Sequence, residues 1–192
     1  GHPAIRPLGN NRVLANHSGW TGGGIHIVSH HATFSTNTVQ GNTSDNDGGG
    51  VYVHQSTGVL RANQVLGNTS ADDGGGIRVF ESRLTLEANV VVGNTAGDGG
   101  GGIRVSHVPS VLIDNVVRDN IAGNTGGGMD LDNDASTVIG GEITGNRAGN
   151  GGGIFLWLGP WNGAQLINIR IAANRASRGG GLFIADNLKP VT

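Results

Sequence analysis

The chain has 192 residues, enough for one domain, and its formal net charge of −2 comes from interspersed basic and acidic residues. This charge balance excludes the basic surface that nucleic acids and anionic membranes attract. No apolar run approaches the roughly 18 residues of a membrane-spanning helix, and the absence of cysteine excludes disulfides and cysteine-based zinc sites.

Residues 1–21 introduce a pattern that recurs along the chain: an asparagine, an apolar residue two places on, and a second asparagine. Asparagine tolerates the left-handed turn conformation, and stacked asparagine amides hydrogen-bond to one another in cross-β structures. We therefore predict a structural ladder, and its members are Asn37, Asn42, Asn63, Asn68, Asn89, Asn94, Asn115 and Asn120.

Glycine triplets follow these asparagine segments at nearly constant spacing. They begin at residues 22, 48, 74, 100, 126, 151 and 179, so successive starts are 26, 26, 26, 26, 25 and 28 residues apart. Each triplet precedes an apolar–any–apolar segment such as Ile77-Arg78-Val79. A further apolar column lies between the triplet and the asparagines, at Phe34, Leu60, Leu86, Leu112 and Val138.

These columns predict the fold. Alternation with a period of two indicates strands, and a fixed period of this length is typical of a solenoid in which coils bury apolar faces against each other. We predict an all-β, right-handed parallel β-helix of about seven coils with three short strands per coil. Residues 1–192 form one domain, in which 1–21 are a partial first coil, 22–178 six full coils and 179–192 a partial last coil.

The repeat also resembles a known family. Gly-Gly-Gly-Ile-x-Val followed by Asn-x-Val-x-Gly-Asn-Thr resembles the right-handed parallel β-helix repeat of the pectin-lyase-like superfamily. Within that superfamily it is similar to the repeats of polymorphic outer-membrane proteins and other bacterial surface proteins. The resemblance covers residues 9–186 and implies an extracellular or cell-surface protein, on a scaffold that carries enzymes, adhesins and fibres alike.

Catalytic candidates lie in the row of residues that should face outward after each triplet. Arg104, Asp130 and Asp132 combine a cation with two carboxylates, which in the carbohydrate-active relatives that the resemblance implies would serve as acid and base. Alternatively, they form ion pairs across adjacent coils of a solvated face. Because coils of 25–28 residues leave little length for groove-forming loops, we favour a protein that is not an enzyme.

Two groups of residues are weighed as metal ligands. The acidic turns before the triplets are candidates for calcium, since carboxylates of neighbouring coils could share a hard cation, and they comprise Asp47, Asp72, Asp73 and Asp98. Aspartate before glycine also serves as an ordinary turn former. Four histidines (His26, His30, His31 and His54) fit polar turns without a metal, so we expect no cofactor apart from this calcium alternative.

Aromatic residues mark the sixth coil and its successor as a contact surface or cap, and they are Phe155, Trp157, Trp161 and Phe183. Since neither end of the chain shows a clear cap, we expect end-to-end association of coils or further coils of a larger protein. The sequence thus predicts a structural or adhesive fibre, stalk or adhesin. The alternative is a carbohydrate-active or carbohydrate-binding β-helix, with a glycan as partner.

Overall fold

The computed structural model describes residues 8–132, 135–158 and 163–186. In these ranges the chain forms strands and no helix, and every strand pairs in parallel with the strands of adjacent coils. Accordingly, the described residues contain no helix that is long and apolar enough to cross a membrane.

Four parallel sheets, A to D, run along the axis, and their strands are numbered in chain order. Sheet A contains β1 (Leu8–Gly9), β5 (His31–Ser35), β9 (Thr57–Arg61), β13 (Arg83–Glu87), β17 (Val111–Ile113), β21 (Thr137–Ile139) and β24 (Gln165–Ile167). Sheet B contains β2 (Arg12–Leu14), β6 (Thr38–Gln40), β10 (Gln64–Leu66), β14 (Val90–Val92), β18 (Val116–Arg118), β22 (Glu142–Thr144) and β25 (Arg170–Ala172).

Sheets C and D complete the coils. Sheet C contains β3 (His17–Ser18), β7 (Thr43–Ser44), β11 (Thr69–Ser70), β15 (Thr95–Ala96) and β19 (Ile121–Ala122). Sheet D contains β4 (Ile25–Val28), β8 (Val51–His54), β12 (Ile77–Phe80), β16 (Ile103–Ser106), β20 (Met129–Asp132), β23 (Ile154–Leu158) and β26 (Leu182–Asp186). This arrangement confirms the parallel β-helix that the sequence predicts.

The prediction of three strands per coil is wrong, because the segment after the second asparagine is a strand of its own. In β11 the side chain of Ser70 is buried while Thr69 faces solvent. Two residues are too few to show an alternation, and a serine in the core hides the apolar signal. In the later coils this sheet continues only as single bridges, from Ile121 to Arg147 and from Arg147 to Arg175.

Residues one coil apart stack directly on each other, and this register builds the core. Val65, for example, pairs with Val39 on one side and with Val91 on the other. Each side chain is therefore buried by its equivalents in the coils above and below, as expected for a solenoid. The resulting columns form one continuous hydrophobic core from Ile27 to Leu156.

Each of the three positions of the glycine triplet requires glycine for its own structural reason. Gly74 has φ +62°, a left-handed conformation that side chains rarely adopt. A Cβ on Gly75 would overlap the carbonyl of Thr95 in the next coil, and one on Gly76 would lie 2.5 Å from the carbonyl oxygen of Gly102. The triplet thus lets two coils approach closely at the start of sheet D.

Candidate functional site

The asparagines form two buried columns parallel to the axis. Within the second column, Asn68 Nδ2 donates to Val39 O (3.0 Å) and to Asn94 Oδ1 (2.9 Å). Asn68 Oδ1 accepts from the backbone N–H of Asn42 at 2.9 Å and from Asn42 Nδ2 at 3.0 Å. All four hydrogen-bonding positions of the amide are therefore used inside the protein.

The two columns differ in length. The first asparagine column contains Asn11, Asn37, Asn63, Asn89 and Asn115. The second asparagine column contains Asn16, Asn42, Asn68, Asn94, Asn120, Asn146 and Asn174. The first column stops where Gly141, with φ +80°, stands in place of an asparagine.

Sheet D carries the predicted outward row, and much of this row is buried. The register places Arg78, Arg104, Asp130 and Phe155 on successive coils. Asp130 is only 1% exposed and Arg78 only 4%. The expectation of a solvated Arg/Asp face is therefore wrong for this row.

The row is buried because the turn before each triplet folds over it. Asp73 N donates to Asp47 Oδ1, and Gly99 N donates to Asp73 Oδ1, both at 3.2 Å, so the turns stack as a layer of their own. A Cβ on Gly99 would overlap Arg104 Nη1 and lie 2.5 Å from Asp130 Oδ2. The missing side chain at position 99 thus makes room for the charged groups beneath it.

Arg104 brings all three predicted catalytic candidates together. Its Nη2 lies 3.0 Å from Asp132 Oδ2, and its Nη1 lies 3.5 Å from Asp130 Oδ2. The same Nη1 donates to Asp73 Oδ1 at 2.6 Å, which joins the acidic turn to the row. One guanidinium group therefore connects Asp73 of an earlier coil with two carboxylates of the following coil, both on β20.

Arg78 occupies the equivalent position one coil earlier. Its Nη1 donates to Ser106 Oγ at 2.8 Å, and its guanidinium lies 5.1 Å from the centre of the Phe80 ring. Its Nε is 3.7 Å from Asp47 Oδ2, and its Nη2 is 3.8 Å from Asp73 Oδ2. We call the six residues Asp47, Asp73, Arg78, Arg104, Asp130 and Asp132 the charged network.

Burial shifts the pKa values of several groups in the charged network. Burial raises the pKa of Asp73 to about 6, even though Arg104 and Arg78 oppose this shift. The pKa values of Asp47 and Asp130 are also raised, and burial is the main cause for both. Burial lowers the pKa of Arg78, whereas the attraction of three aspartates outweighs burial at Arg104 and raises its pKa.

Several polar atoms of the charged network have no hydrogen-bond partner. Asp130 Oδ2 accepts from Thr125 Oγ1 at 2.6 Å, but Asp130 Oδ1 is buried without a partner. The Nε atoms of Arg78 and Arg104 are also buried and unpartnered. Such atoms are rare in proteins, and they often mark sites where function takes precedence over stability.

A cleft opens beside the charged network, where the row changes from charged to aromatic residues. Its volume is about 260 Å³, and its lining residues are Asp98, Arg104, Asn124, Thr125, Asp130, Asp132, Phe155 and Trp157. The register pairs Asp130 with Phe155 and Asp132 with Trp157, so charged and aromatic walls come from adjacent coils.

The aromatic wall continues toward the last coil. The rings of Phe155 and Phe183 stack with centroids 5.5 Å apart and planes 7° apart. The Phe155 and Trp157 rings are 6.2 Å apart. The structure therefore brings three of the four predicted aromatic residues together, and Trp161 lies outside the described residues.

The metal candidates are only partly brought together. Of the described residues, Asp47, Asp72 and Asp73 are the set whose potential ligand atoms all lie within 4.8 Å of one another. Asp98 lines the cleft instead. The histidines do not converge: His26 packs against the Tyr52 ring, and His31 Nδ1 lies 2.7 Å from Thr57 Oγ1.

Sequence reasoning missed two features of this face. Serine hydroxyls accept from the backbone of the adjacent coil in a third, shorter column comprising Ser56, Ser82, Ser110 and Ser136. Gly99 and Thr125 were also missed, although they follow Asp47 and Asp73 at the repeat spacing of 26 residues. This spacing was the available signal that the turns stack as a column.

Residues 5–162 match the model of the family described as "Periplasmic copper-binding protein (NosD)". Neither the curated proteins nor the solved structures give a match. The family's periplasmic location is consistent with the predicted extracellular or cell-surface location. The narrower likeness to polymorphic outer-membrane proteins stays a prediction.

Proposed function

We propose that this chain, which belongs to the periplasmic copper-binding protein (NosD) family, is an adhesive β-helix that binds a glycan in its cleft. The observation that supports this proposal is the position of the cleft at the boundary between the charged row and the aromatic row. Clefts with an apolar wall and a few convergent polar groups are the usual form of small-molecule sites.

The chemistry of the two walls suits a sugar ring. A sugar offers hydroxyl groups to charged and amide side chains, and its C–H face packs against an aromatic ring. Asp132 and Asn124 supply hydrogen-bonding groups, and Trp157, which pairs with Asp132 on the adjacent strand, supplies a half-buried aromatic face. At about 260 Å³ the cleft takes one ring of a longer glycan, which would continue along the solenoid.

The same geometry argues for binding without hydrolysis. A glycosidase needs two carboxyl groups that both reach the scissile bond. Asp130 is 1% exposed and its Oδ2 already accepts from Thr125 Oγ1, so a substrate does not reach this carboxyl group. Asp132 Oδ2 is held by Arg104 Nη2 at 3.0 Å, so this oxygen is already engaged within the protein.

Copper does not fit the described residues. Copper prefers imidazole, thiolate and thioether ligands, but the chain has no cysteine, and its single methionine, Met129, is buried in the core. His54 packs on the Phe80 ring at 5.2 Å, and its Nε2 lies 3.3 Å from Glu81 Oε2. Among the described residues, no histidine belongs to a group of three potential metal ligands whose ligand atoms lie within 4.8 Å of one another. We therefore derive no copper chemistry for this chain.

Affinity electrophoresis through gels containing single bacterial or plant polysaccharides tests the glycan proposal. We expect at least one polysaccharide to retard the protein, and Trp157→Ala to weaken that binding about tenfold or more, because the aromatic face is lost. Trp20→Ala is the matched control, since Trp20 is 70% exposed in the first coils and should leave binding unchanged.

Two results would contradict the proposal. If every polysaccharide that retards the wild type retards Trp157→Ala equally, the cleft is not the glycan-binding site. Release of new reducing ends or unsaturated products by the wild type would show that the protein is an enzyme. In that case, loss of product formation in Asp132→Asn would assign the reaction to this face.

We also propose end-to-end association of coils, which an exposed apolar side chain in sheet D supports. Ile184 stacks on Leu156 in the core column and is 54% exposed in the described structure. Sedimentation velocity tests this: we expect concentration-dependent assembly that Ile184→Asp abolishes. Monodisperse rods at all concentrations would contradict it.

A further inference from the structure

We propose that Arg78 and Arg104 act as built-in cations for the acidic turns, so that the carboxylates of this chain are neutralised without a bound metal ion. A family described as copper-binding leads one to expect a metal at a cluster of potential ligands. In this chain the cluster is made of carboxylates, and the positions around it are taken by guanidinium groups.

The acidic cluster has the geometry of a cation site. Asp47, Asp72 and Asp73 place one carboxylate oxygen each within 4.8 Å of the others. Such oxygens suit a hard divalent cation such as calcium. Without a cation of some kind, three carboxylates at this separation would repel one another.

Two of these carboxylates already face arginines. Asp73 contacts both guanidinium groups, through Arg104 Nη1 at 2.6 Å and Arg78 Nη2 at 3.8 Å. Asp47 Oδ2 lies 3.7 Å from Arg78 Nε. A divalent ion bound to the same oxygens would lie a few ångströms from two positive charges and would be repelled by both.

Both arginines are also fixed in place by contacts outside the acidic cluster Asp47, Asp72 and Asp73. Arg78 is 5% exposed at its side chain, donates to Ser106 Oγ and lies over the Phe80 ring. Arg104 is fixed through Asp132 in a later coil and has room only because residue 99 is a glycine. The cations are therefore part of the fold and cannot swing aside for a metal.

Thermal unfolding with added metal salts tests this inference. For the wild type we expect the same Tm, within about 1 °C, in EDTA, in CaCl2 and in CuSO4, because the site is already neutralised. Arg78→Leu should unfold at a lower temperature and should gain about 3 °C or more on addition of millimolar CaCl2. Arg78→Lys keeps the charge and should respond to CaCl2 as the wild type does.

The double variant Arg78→Leu/Asp72→Asn locates the effect. We expect it to lose the gain in CaCl2, because Asp72 is the exposed carboxylate that an added ion would bind. If Arg78→Leu does not fold without CaCl2, we ask whether the variant folds when CaCl2 is present. If it does not fold at all, Arg104→Leu is judged in the same way.

The inference is overturned by either of two results. One is a wild-type Tm that rises in CaCl2 or CuSO4 and falls back in EDTA, with loss of the rise in Asp73→Asn. The other is an arginine-to-leucine variant that folds but gains nothing from CaCl2, or a failure of both Arg78→Leu and Arg104→Leu to fold even in CaCl2.

Discussion

The asparagine columns and the charged network are both buried polar arrays that run along the axis, yet they differ in how their hydrogen bonds are satisfied. Each interior asparagine, such as Asn68, uses both donors and its acceptor oxygen on neighbours of the adjacent coils. In the charged network, Asp130 Oδ1 and the Nε atoms of Arg78 and Arg104 have no partner.

This difference indicates what each array does. A neutral amide can be repeated in every coil, because each copy satisfies the next and the array can grow without accumulating charge. Buried charges cannot be repeated in this way, since every added carboxylate needs a cation and loses its hydration. The asparagines therefore stabilise the whole solenoid, whereas the charged network occurs in a few coils and lies beside the cleft.

The largest expected effect comes from breaking an asparagine column in its middle. Asn68→Ala leaves the backbone N–H and the Nδ2 of Asn42 without their acceptor, and it removes a donor from Val39 O. Since each buried unsatisfied group costs about 1–3 kcal/mol, we expect a loss of about 3–5 kcal/mol in the free energy of unfolding. Urea denaturation measures this loss.

Thr69→Ala is the control for this substitution, because Thr69 is the next residue and faces solvent. We expect it to change the free energy of unfolding by less than about 0.5 kcal/mol. Equal losses for the two variants would show that the column does not stabilise the coil.

The next largest effect should come from removing one cation of the charged network. Arg104→Met leaves Asp73, Asp130 and Asp132 without their shared partner, and we expect a loss of about 2–4 kcal/mol near neutral pH. The double variant Arg104→Met/Asp130→Leu should recover part of this loss, because both buried charges are then replaced by apolar groups. A double variant less stable than Arg104→Met would refute this explanation.

A pH series sharpens the comparison, because the charged network contains titratable groups and the asparagine columns do not. The pKa of Asp73 is about 6 in the folded protein against a model-compound value of 3.8, so the folded state binds the proton more tightly. Stability contributed by this group is complete below pH 3.8 and is lost as the pH rises to about 6.

We therefore expect the free energy of unfolding to fall by up to about 3 kcal/mol through this window, and the fall to be smaller in Asp73→Asn. Urea denaturation between about pH 4 and pH 7 measures the slope for both proteins. The Asn68→Ala variant should keep the wild-type slope, and identical slopes in Asp73→Asn and the wild type would contradict the assignment.

The smallest effect should come from an ion pair of similar geometry on the surface. Arg61 Nη2 lies 2.7 Å from Glu87 Oε2, but the side chains are 57% and 33% exposed. We expect Arg61→Ala to cost less than about 0.5 kcal/mol, because solvent screens the pair. Measuring the loss in free energy of unfolding for Arg61→Ala and for Arg104→Met at low and high salt distinguishes the exposed ion pair from the buried network.

The fold could be predicted from the sequence because its determinants are periodic. The glycine triplets and the valine column containing Val39, Val65 and Val91 repeat every 26 residues, and in a solenoid a sequence period is also a spatial neighbourhood. The fourth strand was missed because Thr69–Ser70 is too short to show a period of its own.

The candidate site could be predicted only in part. The register that brings Arg104 next to Asp130 follows from the repeat. The burial of Asp130 does not, since it depends on a turn that folds over the row and on the missing side chain of Gly99. The period gives the position of a residue along the axis, but it does not show which turns lie above it.

The constant register also has a mechanical consequence. Each coil is bonded along its length only to the coils before and after it, so a force applied at one end breaks the bonds of one coil while the next stays intact. Peeling off a coil of 26 residues releases about 90 Å of extended chain. A protein pulled at a surface would thus lengthen in equal steps, and the coils still folded would keep the cleft intact until the peeling reached it.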